Sequence, residues 1–451
     1  MRFSSFDDLL SRQALAFGDA AALLYGEREP KRCSYSELYE RVSRQAEAFR
    51  ALHKSCLGVL ADGSFDCVIA IFAAVKAGMQ VVLLDDALPD ELLLRLVSDT
   101  DIDQLYGDPD LCEALSPALA GGVTDGAHRI LFFTSGTTDR SKAVVLTEQS
   151  LMASAYNGGA LLPLTPKDTL LCMLPLAHVF GFVCGLLWGL SCGATVALGR
   201  GPRHYFDDCT FFRPTALSAV PLLWGFLLKY KAINPELKLL LIGAGDCKKP
   251  LLDAAQSLGI RVSFGYGLTE TSSGVALSLG DDPYAMTVCP DDRITIADDD
   301  EILIESPTCL MQGYYKNPQD TAAAVPNGVL HTGDLGRFDE NGLLHIIGRK
   351  KEMLVLPDGT KLFLPEYERD CAAVLHTEEL CIVLSKEVPT LVLGNMPQGD
   401  ARDILARLEP VLRDRPRGQQ LKNVLFTAEP LPRTATGKIK RWAIQREGNS
   451  I

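Results

Sequence analysis

Between residues 56 and 264 short apolar runs recur, separated by segments with helical patterning. The runs are Cys56–Leu60, Val81–Leu84, Ile130–Phe133, Leu170–Pro175, Ala194–Leu198, Ala216–Pro221, Lys238–Gly243 and Arg261–Phe264. A helix is expected over Phe65–Ala77, ending at Gly78. Others open at Pro89 and after Thr147, the last running to about Asn157. Strands that alternate with helices require a mostly parallel sheet covered on both faces. Ahead of them, residues from about 5 to 56 read as helical. Leu38, Val42 and Ala46 share a face there, with Ser36 as cap before Glu37.

Beyond about Gly280 the texture changes. Acids cluster at Asp298–Glu301 and a turn falls at Glu340-Asn341-Gly342, which predicts a small antiparallel region of hairpins. The charged, glycine-led stretch Gly348–Glu352 reads as a hinge. The expected fold class is therefore α/β. A large N-terminal domain (1–349) has parallel and mixed sheets layered with helices, plus a small antiparallel subdomain. A small mobile α+β C-terminal domain (350–451) follows.

A net charge of −13 argues against a general nucleic-acid binder, which needs a basic surface. The thirteen cysteines form no C-x-x-C pair and sit mostly in apolar surroundings, so reduced thiols packed as small core residues are expected. Acids at Asp7 and Asp8 break the apolar core that an export signal needs, and a cytoplasmic location follows. The uncharged stretch Val179–Leu198 is about long enough to span a bilayer, with Gly181, Gly185, Gly189 and Gly193 every fourth residue. A buried helix lying close to a neighbour accounts for it better than a membrane span. Peripheral membrane contact is left open.

Five islands are unusual for plain scaffold. The first is Thr134-Ser135-Gly136-Thr137-Thr138-Asp139-Arg140-Ser141-Lys142, a hydroxyl-rich loop between two apolar runs. Its hydroxyls and N–H groups suit phosphate oxygens, and Lys142 suits their charge. A polar hairpin turn is the plainer reading of that stretch alone. The others are Leu174–Gly181 with His178, Gly265-Tyr266-Gly267-Leu268-Thr269-Glu270-Thr271, His331–Gly336 with Gly348-Arg349 beyond, and Leu431–Lys440. No Walker A loop, G-x-G-x-x-G fingerprint or G-x-S-x-G elbow is present.

Together, in this order, the five islands resemble the adenylate-forming (AMP-dependent) enzymes: acyl- and aryl-CoA synthetases, peptide-synthetase adenylation domains and luciferases. The third and fifth are most similar to those of fatty acyl-CoA synthetases. The resemblance implies an ATP-dependent acid–thiol ligase that makes an acyl-adenylate of a hydrophobic, fatty carboxylic acid and then a thioester. The implied cofactors are ATP, Mg²⁺ and coenzyme A, or the phosphopantetheine arm of an acyl carrier protein.

By this resemblance Thr134, Ser135, Gly136, Thr137, Thr138 and Lys142 cradle the β- and γ-phosphates, and Thr269 meets the α-phosphate. Glu270 holds Mg²⁺, Tyr266 stacks on adenine beside Gly267, and Gly243, Ala244 and Gly245 admit the base. Asp334 and Arg349 take the ribose. Lys438 is the catalytic cation bridging carboxylate and α-phosphate, and His178 gates the acyl pocket or aids thioester formation. Phe180, Val183 and Val275 line the acyl pocket with His178, Lys351 is the hinge, and Gly359 belongs to the thiol channel. The family's usual loop has glycine, proline and glycine where this chain has Asp139, Ser141 and Ala143. Asp139 leaves a second reading in play, a degenerate nucleotide-binding relative without turnover.

Overall fold

The computed structural model describes residues 2–123, 125–134, 142–245, 247, 249–356, 361–385, 388–413, 415–433, 439–441 and 443–444. The N-terminal stretch is not helical throughout. Helix Phe6–Phe17 ends at Gly18, whose φ of 41° L side chains avoid. A hairpin, Ala21–Tyr25 against Lys31–Ser34, then precedes helix Tyr35–Ala51. The cap of that second helix is Ser34, not Ser36. Ser34 Oγ accepts from Glu37 N–H (3.2 Å) and Glu37 Oε2 accepts from Ser34 N–H (2.8 Å). This capping box needs its acid three positions after the cap, which Glu37 is for Ser34 and not for Ser36.

Two sheets organise the large part of the chain. A six-stranded sheet runs Gly313–Tyr314, Ala143–Thr147, Arg129–Phe133, Gln80–Leu84, Cys56–Leu60, Gln104–Tyr106. The four strands from Arg129–Phe133 to Gln104–Tyr106 are parallel, and Ala143–Thr147 turns back antiparallel on Arg129–Phe133. Alternate residues serve opposite faces. Leu57, Val59, Val81 and Leu83 enter the largest core, while Cys56, Leu60, Val82 and Leu84 enter another. The largest core also takes Leu23, Val196 and Leu198 from the second sheet, with helix Phe65–Lys76 buried between.

The second sheet has thirteen strands. Strand Arg261–Leu268 pairs parallel with Leu239–Ile242 through Phe264, then antiparallel with Ser273–Ser278 from Gly265 onward. The expected antiparallel region is thus no separate sheet, because this one strand carries the ladder from the parallel half into it.

The glycine-spaced stretch forms a π-helical segment, Gly181–Leu187, and an α-helical turn, Trp188–Ser191. Strand Thr195–Leu198 follows, so no twenty-residue helix exists here. Among the described residues no helix is long and apolar enough to cross a membrane. A Cβ on Gly181 would stand 2.3 Å from the Pro175 carbonyl oxygen, one on Gly185 2.8 Å from Cys172 Sγ, and one on Gly189 2.5 Å from Val196. The glycines let the segment lie directly on its neighbouring strands. All thirteen cysteines are free thiols, ten of them buried.

The C-terminal part has its own sheet, Leu380–Ser385, Val388–Leu393 and Asn423–Phe426. Its core gathers Leu364, Tyr367, Ile382, Leu391 and Ile404.

Gly181→Ala is expected to destabilise the chain by about 2 kcal/mol, since the clash is with backbone. Gly158→Ala, in a helix with nothing within 4 Å of the new Cβ, is expected to be neutral or stabilising by up to ~1 kcal/mol. Urea unfolding of the two variants checks both.

Candidate functional site

The phosphate-loop candidate springs from two paired strands. Thr134 N–H donates to Lys142 C=O (3.0 Å), and Lys142 N–H donates to Thr134 Oγ1 (3.2 Å), closing the base of the loop. Ser135, Gly136, Thr137, Thr138, Asp139 and Ser141 lie outside the described residues. Lys142 Nζ sits 2.8 Å from Asp320 Oδ2 and 4.5 Å from the centre of the Tyr314 ring. The Tyr314 hydroxyl donates to Glu270 Oε1 at 2.7 Å. Tyr314 reaches this position because Gly313–Tyr314 pairs with Val144–Val145. Sequence reasoning missed both Tyr314 and Asp320. The available signal was Gly313, with φ of 146° and its Cβ position 2.7 Å from Thr321, immediately before an aromatic residue.

Thr269 and Glu270 stand on a one-turn projection, Thr269–Thr271, between two antiparallel strands. The projection is held by strained backbone. Ser272 has φ of 54° and Ser273 of 108°, both costly for non-glycine residues. Hydroxyls offset that cost. Thr271 Oγ1 accepts from Leu268 N–H (3.0 Å) and contacts the Ser273 carbonyl at 2.8 Å, while Ser272 Oγ donates to Cys309 C=O at 2.8 Å. With Tyr314 on Oε1, the second oxygen of Glu270 remains for a hard cation. One carboxylate plus phosphate oxygens is the donor set Mg²⁺ commonly takes, so the residues fit that ion.

Across the sheet, Tyr266, Asp334 and Arg349 form one cluster. The Tyr266 hydroxyl donates to Asp334 Oδ2 at 3.0 Å, and Arg349 Nε lies 3.1 Å from Asp334 Oδ1. The ladder pairs Asp334 directly with Arg349. Burial raises the Asp334 carboxyl above its usual range, against the opposing pull of Arg349 and the phenol. Burial and the nearby carboxylate hold the Tyr266 phenol well above its ordinary value. Glu301 ties the neighbouring loop to the chain beyond the sheet. It accepts from Gly333 N–H (2.9 Å) and pairs with Lys350 (3.0 Å), which also pairs with Asp299 (2.6 Å).

Gly243 lies under Phe180, whose ring leaves no room for a side chain there (2.9 Å). Ala244 takes a left-handed φ of 59°, and Gly245 packs loosely on Pro221. Beyond Phe180 a small cavity of about 20 Å³ is walled by Val183, Cys184, Trp188, Leu241, Gly274 and Leu277, with Ser154 and Cys289. Of the residues expected to line the acyl pocket, Val183 walls this cavity, and His178, Phe180 and Val275 do not. The register passes from Tyr266↔Ala276 to Gly267↔Gly274, so Val275 is a bulged residue and packs with Tyr266, Met286 and Ile294 instead. His178 is half exposed, its Nε2 3.7 Å from Asp85 Oδ2.

Lys438 and Gly359 lie outside the described residues, and Lys351 is exposed in the 3₁₀ turn Lys350–Glu352. The described residues on either side of 434–438 make firm contacts. Arg433 and Ile439 form an antiparallel bridge. Arg433 pairs with Glu379 (2.5 Å) and Arg441 with Glu368 (2.6 Å).

The two sheets with their projecting turns, followed by a small C-terminal domain, define the fold of the adenylate-forming enzymes. The chain belongs to the AMP-binding enzyme family, whose profile matches residues 10–126 and 122–315. It is 25% identical over 479 residues to the 2-succinylbenzoate–CoA ligase of Listeria innocua, covering 96% of this chain and 97% of that one. The crystal structure of an anthranilate CoA ligase, AuaEII, in complex with anthranoyl-AMP superposes with a TM-score of 0.80. That match has 18% identity and covers 99% of this chain and 98% of the other. The O-succinylbenzoate coenzyme A synthetase of Bacillus subtilis, in complex with ATP and a magnesium ion, gives a TM-score of 0.77 at 23% identity. It covers 97% of this chain and 99% of that one. The resemblance to the superfamily stands, but these relatives are named for aromatic acids, not fatty ones.

Behind the cavity Asp292 is largely buried beside Asn157 (3.4 Å), and its carboxyl is pushed up to about 6, chiefly by burial. A raised carboxyl holds a proton in the native state that the unfolded chain has lost, so its contribution favours folding below about pH 4. That contribution fades as pH rises to about 6. Relative to Asp292→Asn, wild-type unfolding free energy is expected to fall by about 3 kcal/mol across that window. Urea titrations from pH 4 to 7 measure the difference.

Proposed function

We propose that this AMP-forming acid–thiol ligase activates a compact, blunt carboxylic acid, aromatic in character, and passes it to coenzyme A through an acyl-adenylate. The aromatic character follows the acids for which the relatives are named. The observation that limits the acid's length is the void beyond Phe180, about 20 Å³, which has room for a terminal substituent and not for a further ring or chain. Trp188 closes this void, with Nε1 donating to Leu162 C=O at 3.0 Å. A wall fixed in this way leaves no channel for a long alkyl chain.

In the first step a carboxylate oxygen attacks the α-phosphorus of ATP and pyrophosphate leaves. Two anions must meet, so the site must cancel charge and hold them in line. Lys142 and the loop from Thr134 to Thr138 take the β- and γ-phosphates, Thr269 the α-phosphate, and Lys438 bridges it to the acid. Tyr314 orients Glu270, the residue that would hold Mg²⁺; the ion supplies charge neutralisation along the phosphates. Tyr266 and Gly267, with Gly243–Gly245 opposite, flank the adenine, and Asp334, fixed by Arg349 and Tyr266, accepts from the ribose hydroxyls.

In the second step a thiolate attacks the acyl carbon and AMP leaves. The proposed small domain, 350–451, turns about Lys351 between the steps, withdrawing Lys438 and bringing the segment at Gly359 to the thiol channel. His178 stands at the rim between acid and thiol. Coenzyme A is the acceptor favoured by the named relatives, and a carrier-protein phosphopantetheine offers the same thiol.

ATP–pyrophosphate exchange with benzoate-sized acids, dicarboxylic acids and fatty acids tests the reading. Exchange is expected with compact aromatic acids, and a preference for long-chain acids would overturn it. Lys438→Ala is expected to lower exchange by a factor on the order of 10²–10³ with an unchanged circular dichroism spectrum.

A further inference from the structure

Ser154 lies on helix Glu148–Leu161, 3% exposed, and forms part of the cavity wall. Its hydroxyl is buried without a hydrogen-bond partner. A serine inside a helix ordinarily bonds back to the carbonyl four residues earlier, here that of Ser150, and Ser154 does not. A buried hydroxyl left unpaired is costly and calls for an occupant. The cavity has room for one water-sized group beside it.

The surroundings say what kind of group. Asn157 Nδ2 is turned towards Asp292 Oδ2 (3.4 Å) and Cys309 Sγ (3.5 Å), and both Asn157 Oδ1 and Asp292 Oδ1 are buried acceptors without partners. The other cavity walls are apolar side chains, glycine backbone and the thiols of Cys184 and Cys289. Neither Asn157 nor Asp292 lines the cavity itself, but Asn157 follows Ser154 by three residues on the same helix and Asp292 follows the lining Cys289 by three. The polar surroundings behind this end therefore carry surplus acceptors, which suits a donor and disfavours a carboxylate. The other end is close. Leu241 precedes Gly243 by two residues on one strand, and Gly274 pairs with Gly267 across the ladder. Two strand residues span about 7 Å, roughly the reach of one aromatic ring with a substituent.

We propose that Ser154 is a specificity-determining residue, its hydroxyl bonding a hydroxyl or amino group at the far end of the acid. This rests on the ligase reading above and names the substrate's second functional group. An acid lacking that group leaves the Ser154 hydroxyl unpaired, which a site built for hydrogen bonding penalises.

The test uses matched pairs on the full-length protein: benzoate and 4-methylbenzoate against 3- and 4-hydroxybenzoate and 4-aminobenzoate. Wild type, Ser154→Ala and Ser154→Thr are each measured by pyrophosphate exchange and by calorimetric binding. Wild type is expected to favour the donor-bearing acid by about tenfold in kcat/KM. Ser154→Ala is expected to bring that ratio to about one, and Ser154→Thr to restore part of it. A ratio that is the same in wild type and Ser154→Ala overturns the proposal. Absence of exchange with every acid overturns the ligase reading instead, and the calorimetric ratio still decides the role of Ser154.

Discussion

A side chain at position 267 would put its Cβ 1.8 Å from the carbonyl oxygen of Ser273. That close approach is where strand Arg261–Leu268 leaves its parallel neighbour, takes an antiparallel one, and folds back through the strained turn at Thr269–Ser273. Much else follows from it. Tyr266 is set against Asp334, Thr269 and Glu270 are lifted out of the sheet, and Val275 is displaced into a bulge. Gly274 is left as bare backbone in the wall of the cavity. Crevices where strand order or direction switches are where open α/β sheets bind ligands, and here one strand makes that switch.

Around this strand, the proposed phosphate and ribose sides are held by different means. On one side Lys142, Tyr314 and Glu270 form a chain through a cation–π contact and a phenol, half-buried and open to charge from a ligand. On the other, Asp334 is buried between Tyr266 and Arg349 and is fixed before any nucleotide arrives. Preorganised charge of this kind costs no reorganisation during reaction. The link from Gly333 through Glu301 to Lys350 joins the ribose side to the proposed hinge.

The layered fold was legible because apolar runs such as Cys56–Leu60 and Leu239–Ile242 are buried on both faces and need no partner to be recognised. The four-residue glycine spacing was legible as close packing. The hairpin at Ala21–Ser34 was not, because its strands are short and its residues Lys31 and Arg32 are exposed. In the site, motif residues could be named from sequence, but their supports could not. Tyr314, Asp320 and Asp85 reach the site only through strand register and tertiary contact. The bulge that turns Val275 towards Tyr266 was not legible either, because nothing in the residue pattern of Ser273–Ser278 marks the register shift.

The central claim is that the site joins a carboxylate to the α-phosphorus of ATP before a thiol displaces AMP. Turnover of an acid labelled with ¹⁸O in its carboxylate tests this most directly. Since the carboxylate oxygen bonds to phosphorus and the later cleavage is between acyl carbon and oxygen, one ¹⁸O should appear in the released AMP. Label in inorganic phosphate with ADP as co-product, or AMP free of label, would contradict it.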